Sequence, residues 1–362
     1  MSVAVITGSS GLVGSKAARF MQSKGMSVVG IDNHLREQFF GSDGSTRRIT
    51  ERLLHDLTDY RHYEIDVCDR DGIEGVFAHY GKAITMVIHA AAQPSHDWAS
   101  QNPLTDFSIN ATGTLVLLEA VRRYCPGAVF IFTSTNKVYG DAPNRLPLIE
   151  METRWEISPE HPYATHGIDE GLSIDQSMHS VFGASKLSAD IMTQEYGRYF
   201  DIKTAVFRCG CITGPAQAGA ELHGFLSYLI KCALTGRPYI INGYSGKQVR
   251  DIMHAFDLVH AFWHFYQSPQ TGAVYNLGGS RKNNCSVLEA IRDVEALSGH
   301  KLQWSLSEQA RIGDHIWWIS DLRKFQQDYP GWSLQYDLKT TMTELIESII
   351  NSADPFAFDS PP

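Results

Sequence analysis

The chain has 362 residues, 20% of them charged and 43% hydrophobic, a length that buries a large core and suits two domains or one large α/β unit. Its formal net charge of -9, with no basic stripe, argues against a nucleic-acid partner. No apolar run approaches the ~20 residues that span a bilayer, so no membrane partner is expected. The first strand begins so early that a signal peptide has no room, and a cytoplasmic location is expected. Six cysteines without a Cys-x-x-Cys pair indicate neither zinc nor a disulfide framework; reduced thiols and no metal follow.

In chain order, residues 3–6 read as a buried strand that runs into Thr7-Gly8-Ser9-Ser10-Gly11-Leu12-Val13-Gly14 and then a helix over 15–23. Three glycines there let the backbone turn tightly and approach a pyrophosphate, whose charge sits at the helix N-terminus. A second strand over 27–32 ends on Asp32, placed to bond the hydroxyls of an adenosine ribose. Its carboxylate would repel a 2′-phosphate, so the cofactor is read as NAD rather than NADP. Further strands are expected over 63–67, 85–90, 128–133 and 204–208, with helices between them. That alternation predicts a doubly wound parallel α/β sheet of Rossmann type, with a smaller mixed α/β domain after it. Asp66 at the end of the third strand is placed to hold an adenine amino group.

Residues 107–124 read as an amphipathic helix carrying Asn110 and Thr114 on an otherwise apolar element. Asn110 fits a satisfied buried amide as well as a role beside the cofactor. The texture changes after residue 210. A helix over 225–234 leads to Gly236-Arg237-Pro238, a glycine-rich turn and Gly246-Lys247-Gln248-Val249-Arg250-Asp251. Segments 252–266 and 273–277 return to the first sheet. The expected division is therefore an NAD-binding domain over 1–208 with 252–277 returning to it, a substrate domain over 209–251 and 278–350, and a tail over 351–362.

The chain resembles the extended short-chain dehydrogenase/reductase superfamily, in particular its nucleotide-sugar epimerases. The likeness rests on Gly8/Gly11/Gly14, His89-Ala90-Ala91-Ala92, Thr133-Ser134-Thr135 before Val138-Tyr139-Gly140, Phe182-Gly183-Ala184-Ser185-Lys186, and Arg311-Ile312-Gly313-Asp314. Ser134 to Gly140 and Gly246 to Asp251 are most similar to the CDP-paratose (CDP-tyvelose) 2-epimerases. The resemblance implies a hydride taken from a sugar carbon by bound NAD and returned to the other face of a transient ketone. It implies a homodimer built on the helices over 107–124 and 181–200.

By the same resemblance the cofactor lies on Gly8, Gly11, Leu12, Val13, Gly14, Asp32, Asn33, Asp66, Val67, Ala90, Ala91, Ala92, Asn110, Thr133, Lys186, Cys209 and Ile212. The nucleotide sugar lies on Gln93, His96, Thr135, Asn136, Lys137, Cys211, His223, Lys247, Gln248, Arg250 and Arg311. An arginine fork suits phosphate oxygens bidentately. Dehydratases of the superfamily carry Asp-Glu after the hydroxyl residue; Asn136-Lys137 stand here, which favours epimerisation. Cys211 stands where many epimerases have asparagine.

The superfamily's base is a tyrosine four residues before a lysine whose charge lowers the phenol pKa. Here Lys186 and Thr135 are in place, but that position is Phe182, which has no proton to exchange. Three readings stay open: a substitution made to trap a complex, a natural subgroup with another base, or binding kept without catalysis. The second is preferred, because the segment from 136 to 181 holds His161, Tyr163, His166, Asp169, Glu170 and His179. Tyr163, His166 and His179 are its candidate bases. The function read from all this is C2 epimerisation of a CDP-hexose. A UDP-sugar 4-epimerase and a catalytically impaired binding protein are the alternatives.

Overall fold

In the computed structural model, residues 2–41, 44–217 and 224–351 are described. They form two compact units: one of residues up to 138, 181–208 and 258–275, the other of 139–180, 209–257 and those from 276 on.

The first unit is built on β1 (Val3–Thr7), β2 (Ser27–Ile31), β3 (Tyr60–Tyr63), β4 (Ile84–His89) and β5 (Val129–Thr135). With Thr204–Cys209 and Ala273–Leu277 they make a seven-stranded parallel sheet. From one edge the order is Ala273–Leu277, Thr204–Cys209, β5, β4, β1, β2, β3. Every residue of β1 and β2 is buried, as expected for strands covered on both faces. Their Val and Ile side chains pack with Phe77, Leu117, Leu118 and Val121 from the flanking helices. Strand order reverses between β1 and β4, and it is at the carboxyl ends of such strands that ligands bind in open α/β sheets.

Two elements differ from the sequence reading. The third strand ends at Tyr63 rather than running to 67, because Asp66 turns the chain: its Oδ1 accepts from Cys68 N and its carbonyl from Asp69 N. The helix expected from 107 begins as Pro103–Phe107, widens into a π turn over Ser108–Thr112 and is regular only over Gly113–Tyr124. The wide turn buries Ile109, Asn110 and Ala111, and such turns cluster at functional sites.

In the second unit Val249–His254 is the centre of a four-stranded sheet, paired with Asn284–Ser286, Trp317–Trp318 and Cys211–Thr213. So residues 252–254 join this smaller sheet, Ala255–Gln267 is helix, and Ala273–Leu277 supplies the edge strand of the large sheet. Helices Phe225–Thr235, Val287–Ser298 and Leu338–Ile350 cover a core of Leu229, Ile230, Ile291, Val294, Met342 and Leu345. Ser286 and Glu289 form a capping box on the middle helix, and Gly299 ends it at φ 71°.

The sequence reading ran the first domain unbroken to 208. Segment 139–180 groups with the second unit because its backbone is tied there, Trp155 N to Lys247 O at 2.8 Å and Ile168 N to Ile319 O at 2.7 Å. Among the described residues, no helix is long and apolar enough to cross a membrane.

Candidate active site

The end of β1 forms a cradle that excludes side chains. Gly8 has φ 65°, and a Cβ there would lie 2.7–2.8 Å from the backbone of Ala90 and Ala91. A Cβ on Gly14 would lie 2.0 Å from the Gly8 carbonyl oxygen. Helix Leu12–Ser23 begins at Gly11 with no side-chain cap and no acid in its first turn, so no side chain of its own start satisfies its first N–H groups. Asp32 braces this loop: Oδ2 accepts from Ser10 N and Oδ1 from His34 N, each at 2.9 Å. Asn33 Nδ2 donates to Asp66 Oδ2 at 2.9 Å. A loop of bare backbone, an open helix end and a carboxylate at the next strand's end fit the pyrophosphate and ribose of NAD.

His89 fixes the neighbouring loop. Thr114 Oγ1 donates to Asn110 O (2.6 Å), so it accepts from His89 Nε2–H (2.9 Å). Nδ1 then accepts from Thr7 Oγ1 (2.7 Å), which accepts from Ala91 N (3.3 Å). Burial, and then the Lys186 charge, push the imidazole down to about 3; it is a neutral strut of defined tautomer. Thr133 Oγ1 donates to His89 O at 2.9 Å, and Lys186 Nζ donates to Thr133 O at 2.8 Å while lying 4.1 Å from the Phe132 ring centroid.

The first unit also gathers Thr135, Phe182, His96, Gln93 and Asn110. Thr135 Oγ1 ends β5, accepting from Lys137 N at 3.2 Å. Phe182 is buried, and the His96 ring meets it edge-on, centroids 4.8 Å apart. Beneath them Asn110 Nδ2 reaches Asp106 Oδ1 and Ser185 Oγ, each at 3.0 Å, and Gln93 Nε2 reaches Asp106 Oδ1 at 2.8 Å. The sequence reading missed Asp106 and Ser185. Asp106 lies one helical turn before Asn110, a spacing that aligns the two side chains. It also missed the bidentate pair of Arg208 with Asp190, whose carboxylate accepts from Ser134 Oγ at 2.7 Å.

The remaining candidates lie in the second unit. Arg250 is buried, with Nη2 2.5 Å from Asp314 Oδ1 and Nη1 donating to Val249 O at 2.8 Å. Arg311 is half-buried and its carbonyl accepts from Asp314 N at 3.1 Å, so Asp314 is bonded to both arginines, to one through its carboxylate and to the other through its backbone. Lys247 Nζ meets Glu150 at 2.8 Å, and Gln248 Nε2 donates to Asn242 O at 3.3 Å. Asp251 beside them is fully buried, and burial pushes its carboxyl up to about 6. Cys211 and Ile212 pair with Ile252 and Met253.

Tyr163 donates to Asp169 Oδ1 at 3.3 Å, and burial together with that carboxylate pushes its phenol up to about 12, a poor setting for a base. His166 is exposed, and His179 Nδ1 meets Ser177 O at 3.0 Å. His223 lies outside the described residues.

Residues 4–169 and 166–278 match the NAD dependent epimerase/dehydratase family. CDP-paratose 2-epimerase of Salmonella typhi is 30% identical over 327 residues, covering 88% of this chain and 91% of that protein. A dTDP-glucose 4,6-dehydratase of Escherichia coli is 26% identical over 376 residues, covering 97% and 94%. UDP-glucose 4-epimerase of Thermus thermophilus, solved with NAD, shares the fold at a TM-score of 0.77 and 22% identity, covering 97% of this chain and 99% of that one. A glycine cradle shaped for NAD, a lysine poised at the end of β5 and a match across most of the chain lead to one conclusion: the chain belongs to the NAD dependent epimerase/dehydratase family, as an NAD-dependent enzyme of nucleotide sugars.

Proposed function

We propose that the protein inverts C2 of a CDP-hexose through a transient keto-sugar. The observation that carries the reading is the 30% identity to a CDP-paratose 2-epimerase along nine-tenths of that protein's length. The reaction corner agrees: Asn136 and Lys137 follow Thr135, so no carboxylate stands there to drive elimination of water.

Bound NAD supplies a ring that accepts hydride from the sugar and gives it back. The chain's own groups do the rest. The Gly8–Gly14 backbone and open helix end hold the pyrophosphate, and Asp32 the adenosine ribose. Lys186, already anchored on Thr133 O, holds the nicotinamide ribose, and the Thr135 hydroxyl bonds the reacting sugar oxygen. Arg250 and Arg311 bind the diphosphate, Arg250 exchanging Asp314 for phosphate oxygens.

Two copies pair through helices that leave Leu104, Phe107, Leu115, Val181, Ile191 and Tyr199 exposed, Leu104 and Tyr199 by more than four-fifths.

The test is to mix purified protein with CDP-, UDP- and GDP-hexoses and follow bound NADH absorbance and inversion at each carbon by NMR. Inversion at C2 of a CDP-sugar is expected; inversion at C4 of a UDP-sugar would replace the reading. Phe182 favours a second one, binding without turnover, which silence with every sugar would establish.

A further inference from the structure

We propose that His96 exchanges the substrate hydroxyl proton, in the role left open by the phenyl ring at position 182. The proposal rests on the epimerase reading above and names the base that this reading lacks.

The geometry is specific to one corner of the first unit. The imidazole stands edge-on to Phe182 with ring centroids 4.8 Å apart, so a proton-exchanging ring lies against the residue that lost its hydroxyl. The backbones that carry the two rings are tied by one polar network. Ser95 caps the short helix His96–Gln101, its Oγ accepting from Trp98 N at 3.3 Å. Gln93 clasps the Ser95 backbone from both sides: Oε1 accepts from Ser95 N at 2.5 Å and Nε2 donates to Ser95 O at 2.8 Å. The same Nε2 reaches Asp106 Oδ1, Asp106 accepts from Asn110 Nδ2, and Asn110 Nδ2 donates to Ser185 Oγ. Ser185 Oγ donates to Phe182 O at 3.0 Å. The backbone that carries His96 is thus bonded, link by link, to the backbone that carries Phe182.

The other ionisable groups of this corner have different tasks. Lys186, one helical turn beyond Phe182, is anchored on Thr133 O. His89 has both ring nitrogens engaged with Thr7 and Thr114. Asp106 is buried and accepts from Gln93 and Asn110. Asp97, next to His96, sits in the first turn of its helix. A neutral imidazole carries a ring nitrogen that accepts a proton and needs no neighbouring cation to act as a base.

The step balances. A ring nitrogen of His96 takes the hydroxyl proton, the carbon–oxygen bond becomes a carbonyl, and the C–H electron pair leaves as hydride to the nicotinamide ring of NAD+. On return, hydride adds to the opposite face, and imidazolium gives its proton back to oxygen, so enzyme and cofactor end unchanged.

The experiment compares wild type, H96Q and H96A. H96Q is expected to lower the rate of bound NADH formation by about a hundred- to ten-thousandfold, with nucleotide-sugar affinity by calorimetry within about threefold. The wild-type rate rises with pH along a limb that vanishes in H96Q, and added imidazole restores turnover in H96A. Independently of turnover, the His96 Hε1 signal, assigned by its loss in H96Q, shifts on adding CDP-hexose to NAD-loaded wild type.

H96Q turning over at the wild-type rate, or an unmoved His96 signal, overturns the base assignment and leaves the epimerase reading intact. Wild type silent with every sugar overturns both. If H96Q proves unfolded by circular dichroism, the Hε1 signal is assigned by its loss in H96A, and its shift and the H96A rescue still decide.

Discussion

Replacing Arg208 by Met, or Asp190 by Asn, tests the ion pair that braces the reaction corner. Asp190 is fully buried and Arg208 almost so, and two N···O contacts of 2.9 Å join them. The same carboxylate accepts from Ser134 and Gln194, each at 2.7 Å. One anion therefore ties helix Val181–Phe200, which carries Phe182 and Lys186, to β5 between Thr133 and Thr135. R208M strands that anion with two neutral donors, and breaking a buried pair this way costs about 3–5 kcal/mol. D190N leaves the guanidinium buried instead, with a loss in the same range. The double variant D190N/R208M has no uncompensated charge, and its amide still accepts a hydrogen bond. Its loss is set by imperfect hydrogen bonding, about 1–3 kcal/mol. The double is therefore more stable than either single, a coupling of several kcal/mol where additive changes would give none. Urea unfolding of the four proteins measures it, followed by both fluorescence and circular dichroism so that agreement of the two signals tests two-state behaviour. Single losses below about 1 kcal/mol, or losses that simply add, would refute the argument from uncompensated buried charge.

Gly14→Ala places a methyl 2.0 Å from the Gly8 carbonyl oxygen, so the loop must shift, at about 1–3 kcal/mol; calorimetry should show NAD affinity of the apoprotein weakened at least tenfold, and an unchanged affinity would exclude this loop as the cradle. Asp251→Asn bears on pH. Burial raises the Asp251 carboxyl from 3.8 to about 6, so its contribution to stability is full below about pH 4 and is lost as pH rises through about 6. The amide oxygen of the variant still accepts from Ser280 and Ser320, so D251N should gain on wild type by about 3 kcal/mol between pH 4 and pH 8, and a pH-independent gap in urea midpoints would contradict this. Leu104→Glu with Tyr199→Glu puts charge on exposed apolar helix faces; light scattering should show the proposed dimer of the wild type giving way to monomer, and an unchanged mass would overturn this interface.

What the sequence made legible is what local chemistry encodes. Gly8, Gly11 and Gly14 between strand and helix, with Asp32 closing the next strand, state their purpose through backbone freedom and charge. The structure adds only which carbonyl each absent Cβ would strike. Val- and Ile-rich strands announced a sheet covered on both faces. Where a strand's end depends on a side-chain turn, the pattern misled: Asp66 reads as the terminus of an apolar run, yet its own carboxylate folds the chain after Tyr63. The wide turn at Ser108–Thr112 was equally hidden, because a π turn keeps the same apolar residues and alters only their phase.

The base marks the limit of such reading most clearly. Residue-type reasoning looked for a substitute in the histidine- and tyrosine-rich segment that runs up to Phe182, since that is where titratable groups crowd in sequence. Partial burial and an acidic partner raise the Tyr163 phenol, and an imidazole from far earlier in the chain stands against the Phe182 ring. Richness in titratable groups is a property of composition, whereas exchanging a proton requires position, and position here comes from Gln93, Asp106, Asn110 and Ser185. None of the four is itself a candidate base, and each contributes only hydrogen bonds. A chain that replaces a tyrosine by phenylalanine keeps its chemistry only if another group can stand at the same carbon–oxygen bond. The network that holds His96 to the Phe182 backbone is the physical reason to look there first.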